Sequence, residues 1–182
     1  MAHVFILAFC SDVMFGTSGI RGPVGDTVTA DLALSVGRAV GVDTGRVVVG
    51  RDPRESGELL ADALTAGLRE LGTDVIDLGL TATPTIARGV EWERADAGVS
   101  ITASHNPAED NGLKLWQPSG QAFDEPLQKT ITKRVQADSW TLKGWNELGS
   151  RERTSVTERH IETLVKRVDL TRPLSVIVDL GN

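Results

Sequence analysis

Three side chains able to do polar chemistry stand in a row in the stretch GVSITASHNPAEDNGLKLW, Gly98 to Trp116. An apolar, β-branched run from Val99 to Thr102 breaks into Ala-Ser-His-Asn-Pro. Ser104 offers a hydroxyl that can attack or carry a group. His105 can hold or exchange a proton near neutral pH. Asn106 can donate to an oxyanion or a phosphate. Pro107 cannot extend a strand's hydrogen bonding, so the run must end there. Two readings stand open: a nucleophilic or phosphate-carrying serine at the mouth of a loop, and an ordinary ST-turn beside a solvated histidine.

Two other segments could face the same place. In FGTSGIRG, Phe15 to Gly22, glycines recur every third residue with Thr17, Ser18 and Arg21 between them. Glycines let backbone N–H groups approach an anion, and a guanidinium grips phosphate with a planar fork. The spacing fits neither the Rossmann fingerprint nor a Walker loop, and a flexible turn explains the glycines equally. Arg51-Asp52-Pro53-Arg54 follows the run RVVVG. An arginine–carboxylate pair stapling a loop is the favoured reading there. Lys114 lies in an alternating segment. It can face solvent, or face the Ser104 crevice as an acid/base amine. Glu109 and Asp110 read as solvated turn residues.

A serine hydrolase fails on context. The nucleophile elbow needs Gly-x-Ser-x-Gly, and Ser104 has Thr102 and Asn106 at those places. The other histidines are His3 and His160, and nothing in the sequence brings His160 to Ser104.

The elements that must position these groups alternate. Helices are expected over Asp31–Val40, stopped by Gly41, and over Ser56–Leu71, capped by Ser56 and stopped by Gly72. A third helix is expected from Thr83-Pro84 to Trp92. Strands are expected over Arg46–Gly50, Asp74–Leu80 and Ala97–Thr102. Asn111-Gly112 and Pro118-Ser119-Gly120 read as turns bounding a hairpin strand, Leu113–Gln117. Glu125–Ala137 reads as a helix. Asp138–Arg153 has no period and reads as a connection. Ser155 or Thr157 caps a helix to about Val168, and Leu174–Asp179 (LSVIVD) is a buried-strand pattern. Strands alternating with helices imply an α/β fold, a parallel or mixed sheet with helices on both faces.

Composition narrows the class. The 182 residues are 40% hydrophobic and 24% charged, enough for one good core. A net charge of −6 without a basic run argues against nucleic acid as a partner. No apolar run approaches the roughly 18 residues of a membrane span, so no membrane partner is expected. Cys10 is the single cysteine, so no intrachain disulfide is possible, and a reducing, cytoplasmic location is the default. The first thirteen residues, MAHVFILAFCSDV, lack the basic start of an export signal. They read as an edge strand or as an extension upstream of a start at Met14.

Together, FGTSGIRG, VVVGRDPR and above all TASHNP followed by NGLK resemble the α-D-phosphohexomutases, the phosphoglucomutase, phosphomannomutase and phosphoglucosamine mutase superfamily. The opening FGTSGIRGPVG is similar to archaeal-type members. The resemblance implies a three-layer α-β-α first domain with a mixed, mostly parallel sheet. It implies that Ser104 carries a phosphoryl group exchanged with a phosphohexose substrate through a bisphosphate intermediate. Lys114 then matches the general acid/base, and Arg21 an active-site arginine. His105 and Asn106 match loop residues around the phosphoryl group. Thr17 and Ser18 join Arg21 in the phosphate-binding loop. Mg2+ is the implied metal, bound here only through the phosphoryl group of Ser104, because no DGDGDR-like aspartate cluster occurs in the chain. A glucose 1,6-bisphosphate-type activator is implied as well.

The implied organisation is an extension over 1–13, domain I over 14–137, a connection over 138–154, and over 155–182 the helix and first strand of domain II. Partners are then the remaining domains II–IV of the same protein, and turnover by this chain alone is not expected. The alternative is a free-standing phosphosugar-binding module that has lost catalysis.

Overall fold

The computed structural model describes residue 16 and residues 19–179. The elements in chain order are β1 (Ile20–Pro23), α1 (Ala30–Gly41), β2 (Arg46–Arg51), α2 (Gly57–Glu70), β3 (Asp74–Leu80) and α3 (Thr83–Trp92). They continue with β4 (Ala97–Ile101), β5 (Asp110–Trp116), α4 (Glu125–Ala137), β6 (Arg151–Arg153) and α5 (Thr157–Val165). Among the described residues the sheet has six strands in the order β1-β5-β4-β2-β3-β6. β2 pairs in parallel with β3 and β4, and β6 in parallel with β3, whereas β5 runs antiparallel to both β4 and β1. The expected mixed, mostly parallel α/β sheet is the sheet observed.

Alternation along the strands makes two cores. Val47, Val49, Val75, Val99, Ile101 and Leu113 pack against Val36 of α1, Leu60, Leu64 and Leu68 of α2, and Ile131 and Val135 of α4. Val48, Ile76, Leu78 and Trp116 face the other way, against Ile86 and Val90 of α3 and against Val156. Successive strand residues point to opposite faces, so a continuous run such as VVV feeds both layers. α1 and α2 cross at glycines. A Cβ on Gly37 would run into the Leu64 carbonyl oxygen, and one on Gly67 into that of Leu34.

Several local expectations are corrected. Asn111 and Gly112 lie inside β5, not in a turn; the reversal before β5 falls between Ile101 and Asp110. Gly112 is required there because a Cβ would strike the Ile20 carbonyl oxygen of β1. Ser56 stands at the N-cap of α2 but makes no side-chain cap bond; its hydroxyl accepts from Asn111 Nδ2 at 2.9 Å. Thr83 is the first residue of α3, with Ala82 at the cap. Gly41 is the last residue of α1 and not its stop, and Thr29 caps that helix through Leu32 N.

β1 and β6 are strands that the pattern did not reveal. Conversely, Leu174–Asp179 belongs to no strand, and α5 ends at Val165. Among the described residues no strand is paired with residues 174–178. The reading of residues 1–13 falls outside the described residues. Among the described residues no helix is long and apolar enough to cross a membrane.

Candidate active site

β3 flanks β2 on one side and β4 on the other, so the chain reverses direction across the sheet at β2. In open α/β sheets, ligands bind beyond the carboxyl ends of strands at such a switch point. An open cleft lies there. It is lined by Asp52 and Arg54 after β2, by Thr81 and Thr83 after β3, and by Thr102, Ser104, His105 and Asn106 after β4.

Ser104 has a φ of 59°, in the left-handed region that non-glycine residues seldom occupy. Such a conformation costs roughly 1–3 kcal/mol and persists only where the surroundings over-determine it. The surroundings do so here. Ser104 N donates to Thr102 Oγ1 at 2.9 Å, and Asn106 N donates to the Ala103 carbonyl at 3.1 Å. Asn106 Nδ2 donates to Asp110 Oδ2 at 2.8 Å. The Ser104 hydroxyl has His105 Nδ1 beside it at 3.4 Å. By contrast Ser100, the other serine of this stretch, is fully buried, and its Oγ accepts from Trp116 Nε1 at 2.7 Å.

Arg54 holds the loop from beneath. Its guanidinium donates to the carbonyl oxygens of Ser104 (3.1 Å), Asn106 (2.7 Å), Asp110 (2.8 Å) and Pro107. Its Nε donates to Asp52 Oδ2 at 3.2 Å. The stapling pair expected from Arg51-Asp52-Pro53-Arg54 is therefore Asp52 with Arg54. What the sequence withheld is that the pair staples a different loop, the one bearing Ser104.

Arg21 and Lys114 approach by register. Arg21 of β1 pairs with Gly112, whose amide follows Asn111 and whose carbonyl accepts from Thr102 N. Arg21 and Thr102 thus flank one residue of β5, two strand spacings or about 10 Å apart. Arg21 Nε is buried with no hydrogen-bond partner among the described residues. Lys114 lies opposite Ser100, one pair before the end of β4. Its ammonium sits over the Trp116 ring, 4.5 Å from the centroid, and Lys114 does not line the cleft. Gly16 and Gly19 exchange both backbone hydrogen bonds, and a Cβ on Gly19, at a φ of 90°, would strike the Leu113 carbonyl oxygen. Thr17 and Ser18, expected to bind phosphate, lie outside the described residues.

The structure thus gathers Ser104, His105 and Asn106 in the cleft, brings Arg21 to its flank, and leaves Lys114 stacked on Trp116. Thr81, Thr83 and Thr102 were not anticipated; the signal was their place just after strands that end at one edge. His160 is not among the residues lining this cleft: its Nδ1 meets Thr85 Oγ1 at 2.8 Å and its ring packs edge-on to Trp92.

Known proteins resemble this chain in sequence and fold. Residues 12–141 match the family described as "Phosphoglucomutase/phosphomannomutase, alpha/beta/alpha domain I". A "Probable phosphoglucosamine mutase" of Thermococcus gammatolerans is 44% identical over 170 residues, covering 92% of this chain and 38% of its own length. One from Methanococcoides burtonii is 41% identical with the same coverage. The crystal structure of a phosphoglucomutase/phosphomannomutase family protein from Burkholderia thailandensis superposes with a TM-score of 0.77 at 34% identity, over 89% of this chain and 37% of that one. The chain therefore spans about 38% of the length of the curated relatives it matches. A family match over most of the chain and a shared fold at one-third identity lead to one conclusion: this chain belongs to the phosphoglucomutase/phosphomannomutase family and carries its α/β/α domain I.

Proposed function

We propose that this chain is the phosphoserine domain of an enzyme interconverting hexose 1-phosphate and hexose 6-phosphate. The hexose is glucose, mannose or glucosamine. The relatives' name, phosphoglucosamine mutase, favours glucosamine. Domains II–IV of the same protein are its partners, its location is cytoplasmic, and Leu174–Asp179 would join a sheet of domain II. The observation that carries the reading is the strained φ of Ser104 at the switch-point edge, stabilised by an arginine-centred loop.

In this reading a hydroxyl oxygen of the substrate attacks phosphorus on phospho-Ser104. The Ser104 Oγ–P bond breaks as the new O–P bond forms, giving a bisphosphate. After the bisphosphate turns round, Ser104 Oγ attacks the other phosphorus and releases the isomeric monophosphate. Lys114 takes the attacking hydroxyl's proton and returns it in the second half. To do so its side chain leaves the Trp116 ring for the crevice. Arg21 cannot lose its proton, so it binds and neutralises charge. Asn106, His105, Thr17 and Ser18 complete the phosphoryl surroundings. Transfer of this kind depends on positioning and charge neutralisation.

Magnesium would supply further neutralisation. The residues present do not make a magnesium site: among the described residues no cluster of three His, Cys, Asp or Glu could hold a metal. Asp52 and Asp110 are engaged by Arg54 and Asn106.

The test is site mapping. The full-length protein incubated with glucose 1,6-bisphosphate should carry phosphate on Ser104 by peptide mass analysis; phosphate on Ser18 or Ser100 with Ser104 bare would refute it. Lys114→Arg should then lower turnover by roughly 100-fold, the scale of general acid–base catalysis. Near-wild-type turnover would make Lys114 an electrostatic clamp and pass the proton to His105.

A further inference from the structure

Cation and loop are matched in an unusual way in this cleft. The segment from Ser104 to Asp110 turns four backbone carbonyl oxygens, of residues 104, 106, 107 and 110, onto one guanidinium. The side chain that does this is only 12% exposed, and its remaining N–H is directed by Asp52. The same β2–α2 connection makes two further ties. Asp52 N donates to the Ile101 carbonyl at the loop's start, and Ser56 Oγ receives Asn111 Nδ2 at its end. Asn111 is fully buried, and its Oδ1 accepts from Gly112 N. The loop thus begins, runs and ends against one scaffold, with Arg54 at its centre.

We infer that Arg54 is the positioning residue of the phosphoserine loop: it fixes the left-handed turn at Ser104 and draws four carbonyl dipoles away from the oxygen that carries the phosphoryl group. The inference rests on the phosphoserine reading of Ser104. Two physical consequences follow. Carbonyl oxygens left loose near a phosphoryl dianion would repel it, and their capture by a buried cation removes that repulsion. The conformational cost of a positive φ at a serine is borne by the loop only while its carbonyls are held. A lysine cannot replace the fork, because one ammonium has three donors from a single point and cannot span five acceptors.

The experiment uses the full-length protein, with glucose 1,6-bisphosphate as phosphoryl donor. It measures the rate at which Ser104 is phosphorylated, by peptide mapping, alongside Tm. Arg54→Ala should load Ser104 roughly 100-fold more slowly, the penalty of a small misplacement of reacting groups. Millimolar guanidinium should speed the Ala variant and leave wild type unchanged, a rescue that a purely structural residue would not show. Arg54→Lys should fold and still load at least about tenfold more slowly, since charge without the fork does not hold the turn. It decides the matter if the Ala variant does not fold. Loading by Arg54→Lys within about threefold of wild type would overturn the inference. So would an Arg54→Ala defect that guanidinium leaves untouched. A wild-type protein that leaves Ser104 bare would overturn the phosphoserine reading and this inference together; normal loading in the variants overturns the inference alone.

Discussion

Arg-Glu-Arg is a strand in this protein, and Leu-Ser-Val-Ile-Val-Asp is not. Arg151–Arg153 forms β6 although all three residues are exposed, whereas residues 174–179, with far better β-formers, join no strand. The difference lies in neighbours. β6 lies in parallel register beside β3, with Val75 opposite Arg151 and Asp77 opposite Arg153. Ser150 and Arg151 are tied to the acidic side chains of that same strand. Val176, Ile177 and Val178 are 72%, 97% and 72% exposed. Strand propensity measures how well a side chain suits a half-buried pleated surface, and it supplies no partner for the backbone.

The sharpest way to break the comparison is to remove what anchors β6. Asp77 is buried in β3 and accepts from Arg151 Nε and Nη2 and from Gly79 N. It also holds the Arg151 guanidinium, with Asp62 beyond it, even more firmly protonated than usual, chiefly by the Asp77 hydrogen bond. Asp77→Ala leaves the buried Gly79 amide without its acceptor and leaves the Arg151 guanidinium with Asp62 alone. The expected loss is about 2–3 kcal/mol, read as a fall in Tm and as fast amide exchange across Arg151–Arg153. Protection of those amides at the wild-type level would mean that backbone pairing alone makes β6.

This contrast also explains what was legible. β2, β3 and β4 announce themselves because central parallel strands are buried on both faces and read as apolar runs. α2, α3 and α4 follow from their spacing. β1 escaped because Ile-Arg-Gly-Pro looks like part of a glycine loop, and its strand character comes from β5 alone. The Asn111-Gly112 pair imitates a hairpin turn; its glycine answers to the approach of β1, which is not written locally. At the site, Ser104, His105 and Asn106 were legible because a strand end delivered them. The target of Arg54 was not, since four of its partners are backbone oxygens some fifty residues away and carbonyls leave no mark in a sequence.

A smaller effect is expected one register step away. Asp74 Oδ1 accepts from Ser150 N at 2.8 Å and from Ser150 Oγ at 2.7 Å. The Ser150 backbone amide above all, then its hydroxyl, with the charge of Arg46 adding, hold the Asp74 carboxyl below its usual range against the opposing effect of burial. A carboxyl whose folded pKa is depressed contributes stability that is complete above its unfolded value, about 3.9, and that vanishes as pH falls through the folded value. Asp74→Ala should therefore cost about 1 kcal/mol at pH 7, with the gap to wild type closing below about pH 4. Thermal melts between pH 7 and pH 3 check it. A gap that stays constant through that window would show that the Ser150 bonds do not depend on the charge.

The smallest effect on stability is expected from deleting residues 174–182, and the smallness is what it tests. Residues 174–178 have the sequence of a strand but pair with no strand of the sheet and belong to neither core, so their removal takes no ladder hydrogen bond from the sheet and no side chain from either core. Stability should then stay within about 0.5 kcal/mol of the parent chain, as for exposed substitutions. Solubility should rise, because an unpartnered β-forming segment invites association between chains. Light scattering at rising concentration, with Tm measured in parallel, reads both. Val176→Asp in the undeleted chain should give the same gain in solubility, since one charge breaks an apolar strand pattern without shortening the chain. A deletion that precipitates the protein or lowers Tm by several degrees would mean that the segment belongs to the first domain's own core. The contrast with β6 would then reduce to a difference in length.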